Sequence, residues 1–129
     1  MLSFACTSDD AILLSEISNF LKLKKIQYTV KGFNVVLDNP DPIWNDGFVI
    51  QMKVEALRKM INFGEYDIIC SVENNKAYWY INGTNLSYFT EFNEDLLSDY
   101  REFIKCSLKL LFNKFHKELI TIYRINMNK

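Results

Sequence analysis

Between Gly64 and Gly83 the chain reads GEYDIICSVENNKAYWYING, and no other stretch restricts the fold as strongly. Tyr66–Val72 and Ala77–Asn82 are rich in β-branched and aromatic residues, the side chains that suit a pleated, half-buried surface. Between them stands Glu73-Asn74-Asn75-Lys76. Asn tolerates positive φ, so Asn74 and Asn75 predict a two-residue hairpin turn with Glu73 opposite Lys76. That register sets Val72, Cys70 and Ile68 against Ala77, Trp79 and Ile81 on a wholly apolar side. The other side carries Asp67, Ile69 and Ser71 against Tyr78, Tyr80 and Asn82, and is amphipathic.

A hairpin alone is not stable in water and must find further strands or helices to cover it. The chain has 129 residues, 49% of them hydrophobic and 24% charged, which predicts one domain; two would each be too small for a good core. Residues 2–6 alternate as a short strand. Thr7-x-x-Asp10 has the form of a capping box, and residues 9–25 should be helical, with Leu13 or Leu14, Ile17, and Phe20 or Leu21 as the apolar stripe. Ile26–Val30 and Phe33–Leu37 read as a second hairpin turning at Gly32.

Asp38–Gly47 holds both prolines and is the one irregular region. Phe48–Phe63 fits strand alternation at its start, but Ile50, Val54, Leu57 and Ile61 follow helical spacing, and the helix reading is adopted with Asn45 or Asp46 as its cap. Gly83–Phe92 reads as a short helical turn. Asn93 then caps a helix with the chain's strongest period, Leu97, Tyr100, Ile104, Leu108, Leu111, Phe115 and Leu119. Residues 120–125 continue that helix or leave it as an edge strand. The expected fold is therefore α+β, in the order β-α-β-β-loop-α-β-β-α, an antiparallel or mixed sheet on two to three helices. Its first six elements have the order of a ferredoxin-like unit.

Chemistry-bearing patterns are sparse. Cys6, Cys70 and Cys106 match no zinc or redox spacing, so reduced thiols are expected. His116 is the only histidine; ten residues along a helix separate it from Cys106 by about 15 Å, too far for a nucleophile pair. His116-x-Glu118 has half of a zinc-deaminase pattern but no PCxxC partner. Lys31-Gly32-Phe33 opens like an RNA-recognition strand motif and lacks its later aromatics. No nucleotide-binding glycine pattern or hydrolase motif is present. Net charge of −1 and an isoelectric point near 5.8 disfavour direct nucleic-acid binding. No run of 18 apolar residues or leader pattern occurs, so a cytoplasmic protein without membrane attachment is expected.

Surface residues then become the candidates. Tyr78 and Tyr80 would form a platform on the hairpin's second side, and Trp44, between Asp41 and Asp46, would anchor a partner. The last helix is acidic at its head, through Glu94, Asp95 and Asp99, and basic along its body, with Lys105, Lys109 and Lys117 near one stripe. In bulk character the chain resembles the small acidic immunity proteins that neutralise bacterial toxins. The expectation is a non-enzymatic inhibitor, without cofactor or metal, whose partner is a basic toxin or nuclease occluded at its active site. The alternatives are an acidic, phage- or host-encoded regulator of a nucleic-acid enzyme, and a small metal-dependent hydrolase using Asp38, Asp41 or Glu73.

Overall fold

The computed structural model describes residues 1–62, 64–92 and 99–128. Its elements are β1 (Leu2–Cys6), α1 (Ala11–Leu23), β2 (Tyr28–Gly32), α2 (Asp46–Met60), β3 (Ile68–Glu73), β4 (Lys76–Ile81), β5 (Ser87–Glu91), α3 (Tyr100–Lys114) and α4 (His116–Met127). The five strands form one mixed sheet in the order β2-β1-β3-β4-β5. β2, β1 and β3 are parallel, and β4 and β5 continue antiparallel. The fold is α+β, as expected.

Helices cover both faces of the sheet. From β1 the chain crosses through α1 to β2 on one side, then returns through α2 to β3 on the other. Crossovers of the same hand that travel in opposite directions place their helices on opposite faces. Accordingly α1 packs with α3 and α4 over Phe4, Cys6, Ile68, Cys70 and Trp79, while α2 lies over Ala5, Ile69 and the tyrosines of β4. The inner parallel strands β1 and β3 are therefore buried on two sides, which is why β3 reads as the nearly unbroken apolar run IICSV, whereas the edge strand β2 keeps Thr29 and Lys31 exposed.

The β3–β4 hairpin has the predicted register throughout, from Glu73 opposite Lys76 to Ile68 opposite Ile81. Asn74 and Asn75 both take positive φ, 51° and 60°, as a turn matched to strand twist requires. Trp79 is fully buried and meets Phe4 edge-on at 6.4 Å. The helix stripes also hold: Leu13, Ile17 and Leu21 in α1 and Ile50, Val54 and Leu57 in α2 are buried. Asn45 caps α2, its Oδ1 accepting from the Phe48 N–H at 2.8 Å.

Four expectations fail locally. Residues 33–37 form no strand, and Gly32 makes no hairpin turn: β2 runs parallel to β1, and Phe33 and Val35 N–H groups donate to Cys6 and Thr7 carbonyls as the chain leaves the sheet. Parallel pairing also excludes the ferredoxin-like arrangement, whose neighbouring strands are antiparallel. Residues 87–91, read as helical, are strand β5, because Ser87, Phe89 and Glu91 alternate with Tyr88 and Thr90 along β4. Asp10 rather than Thr7 caps α1, accepting from the Ile12 N–H; the Thr7 hydroxyl is drawn inward and donates to Ser71 Oγ at 2.8 Å.

The long C-terminal helix is broken at Phe115, whose φ and ψ of −115° and 34° end α3 and start α4. Residues 120–125 are therefore helical. α4 is tied to the sheet by Tyr123 Oη, which accepts from the Gln27 N–H at 3.1 Å, and by Asn126, whose side-chain amide donates to the Met1 carbonyl and to Asp67. The expected Asn93 cap and Leu97 lie outside the described residues.

Candidate interaction site

One helix cannot cover one face of five strands. α2 lies over the middle of its face and leaves the β4–β5 side open around its own first turn. Trp44, in the loop before α2, stacks edge-on against Phe48 with ring centroids 4.9 Å apart. Phe89 projects from β5 on the same side, opposite Tyr78 in register. Its ring reaches the first turn of α2 at Gly47, where an added Cβ would come within 3.4 Å of it. Phe48 and Phe89 remain 41% and 38% exposed. Two exposed Phe side chains beside a Trp form an apolar patch of the sort found at recognition surfaces.

Charge frames this patch. Lys76 Nζ lies 3.6 Å from both Asp46 Oδ2 and Glu91 Oε1, so one ammonium bridges two carboxylates and the group keeps a net negative charge. Asn74 Nδ2 is 3.5 Å from Asp46 Oδ2. Asn45, Asp46, Gly47, Phe48, Gln51, Lys76, Phe89 and Glu91 line an open cleft of about 700 Å³. The hairpin turn, the helix start and the outer strand thus meet at one place.

Trp44 and Asp46 belong to this cluster. Asp41 forms the turn before it, its Oδ1 accepting from the Ile43 N–H at 3.0 Å and its carbonyl from the Trp44 N–H. Tyr78 and Tyr80 do not form an open platform: both are half-buried beneath α2, the Tyr80 ring carries the Arg58 guanidinium at 4.2 Å, and its hydroxyl donates to the Thr84 carbonyl. Asp99 is no part of the cluster: it caps α3, a helix of the other sheet face, by accepting from the Arg101 N–H. Glu94 and Asp95 lie outside the described residues. The stripe of Lys105, Lys109 and Lys117 is interrupted at Phe115, which puts Lys117 on a separate helix.

No family model matches the chain, and no curated protein is similar to it. Among solved structures it resembles protein VC0702 from Vibrio cholerae at 12% identity and a TM-score of 0.45, over 79% of this chain and 67% of that one.

Sequence reasoning missed Phe48, Phe89, Lys76 and Glu91. Phe48 was legible as the residue one helical turn beyond Trp44. Phe89 was legible only once SYFTE was read as a strand, since that alternation aligns Phe89 and Glu91 with Tyr78 and Lys76. The loop carboxylates gather no metal site: among the described residues no group of three or more His, Cys, Asp or Glu side chains could hold an ion. Glu73 instead pairs with Lys53 at 3.0 Å. Among those residues, too, no helix is long and apolar enough to cross a membrane.

Proposed function

We propose that this protein binds another protein through the Trp44–Phe48–Phe89 patch and inhibits it by covering a functional surface. The observation that carries the reading is the pairing of exposed aromatics with the Asp46–Lys76–Glu91 group around one cleft. Aromatic anchors surrounded by polar rims are the pattern that concentrates binding energy in interfaces. A lysine or arginine projected by a basic partner, such as a toxin or nuclease, suits the cleft: Phe48 and Phe89 are exposed aromatic rings in its lining, and Asp46 and Glu91 supply negative charge.

The test is affinity capture with wild-type protein, Phe48→Ala and Phe89→Ala side by side, followed by titration of the purified partner's own activity. Each substitution should weaken the complex by about 2 kcal/mol or more, and stoichiometric wild-type protein should abolish the partner's activity. Equal retention of every captured protein by wild type and both variants would overturn the assigned surface. A partner that stays fully active when saturated would overturn inhibition.

A further inference from the structure

We propose that the cleft between the end of α1 and the helix α4, on the sheet face opposite the aromatic patch, binds a small organic anion: a carboxylate on an apolar body. The cleft measures about 360 Å³ and is lined by Lys24, Lys25, Ile26, Phe112, His116, Leu119, Ile120 and Tyr123. That volume lies in the range of small-molecule sites, and a mainly apolar lining with a few convergent polar groups is their usual make-up. None of the eight residues is acidic. Phe112 and Leu119 form a buried floor, and two ammonium groups and an imidazole stand at its edge. Lys24 and Lys25, both exposed, put positive charge at the rim where an anionic head would sit, and the buried floor of Phe112 and Leu119 suits an apolar body.

Lys25 supplies independent support. The end of α1 is a Schellman motif, with the Lys25 N–H donating to the Lys22 carbonyl and the Ile26 N–H to the Leu21 carbonyl, both at 3.0 Å. The residue at Lys25 must take positive φ, here 59°, where Gly or Asn is the usual occupant. Among the described residues the other non-glycine positions with positive φ are all Asn, at 39, 74 and 75. A lysine is thus held in a disfavoured backbone conformation at the helix end where its side chain lines this cleft, and strain of that sort collects at functional sites. Lys24 is placed as well, its Nζ 5.1 Å from the Phe20 ring centroid and 5.7 Å from that of Phe112. Tyr123 Oη accepts from the Gln27 N–H, which leaves its own proton to donate to a carboxylate.

Titration calorimetry of the whole protein with decanoate below its micellar concentration tests the assignment, with 1-decanol as the neutral probe and decylammonium as the cationic one. Decanoate should bind one to one, and at least tenfold more tightly than either control. Lys25→Gly should raise the Tm by a few degrees, because glycine relieves the backbone, yet weaken decanoate at least tenfold. Ile120→Trp, which fills the cleft, should abolish binding, and Lys105→Ala, outside it, should leave binding unchanged. Equal affinity for decanol and decanoate would overturn the proposal, as would unchanged decanoate binding by Lys25→Gly. Co-sedimentation with phosphatidylglycerol vesicles without binding of free decanoate would also overturn it, assigning these cations to a lipid surface.

Discussion

At the scale of single residues, Gly32 shows how a correct signal acquires a different cause. In the sequence it reads as a hairpin turn. In the fold it ends a parallel strand, and a Cβ there would lie 2.6 Å from the Asp9 Cα and 2.7 Å from the Ser8 carbonyl. Both neighbours are backbone and cannot step aside, so glycine is needed for the close approach of the β1–α1 loop. Gly32→Ala should destabilise the protein by about 1–3 kcal/mol, read as a lower urea midpoint with an unchanged m value. A second residue-scale consequence concerns alkaline pH. Burial, with the Asp10 carboxylate alongside, raises the Tyr100 hydroxyl well above its ordinary 10.0; a hydrogen bond to Cys6 3.2 Å away, together with burial, raises the Cys70 thiol above 9.0. The unfolded chain releases these protons first, so stability from both groups is complete below pH 9 and declines as pH rises past 9 and 10. Tyr100→Phe should lose less stability between pH 8 and 11 than wild type, measured by urea unfolding.

Elements were legible where local pattern and tertiary demand agreed. The β3–β4 register followed from Asn74-Asn75 and the apolar alternation, and α1 and α2 followed from their stripes, because each signal sits within one element or one turn. What escaped depended on partners far along the chain. Nothing in residues 26–37 distinguishes a hairpin from a strand laid parallel to residues 2–6, since the pairing partner lies beyond a whole helix. The coverage of Tyr78 and Tyr80 was equally illegible, because it rests on which face α2 crosses. This division gives α2 two separable ends. Leu57, fully buried against the sheet, should cost about 2–5 kcal/mol of stability on substitution by Ala. Phe48→Ala at the exposed start should leave the thermal midpoint within a degree or two while weakening partner binding by about 2 kcal/mol or more; circular dichroism melts beside binding isotherms separate the two effects.

Across the whole molecule, charge is divided between faces. Residues 26–92, which include α2 and its preceding loop, carry five Lys and Arg against eight Asp and Glu. Segments 10–25 and 99–127, which hold α1, α3 and α4 with the capping aspartates, carry nine against five. A net charge of −1 therefore hides a dipolar molecule, and the two proposed sites lie on opposite sides of it. Part of this was visible as the acidic-to-basic change near residue 103, but its meaning depended on knowing which helices share a face. A basic partner approaching the α2 side should associate more than tenfold more slowly at 500 mM than at 50 mM salt, with a smaller change in dissociation, as surface plasmon resonance would record.

The placement of β1 between β2 and β3 also governs how the chain can assemble. Its first neighbour, β2, arrives after one helix, but its second pairs Phe4 with Ile68, 64 positions later. During synthesis β1, α1 and β2 can therefore collapse early with one edge of β1 bare, an edge that another nascent chain could occupy before β3 emerges. Closing that gap is a long-range step with a large loop-entropy cost, and it is where the folding barrier should concentrate.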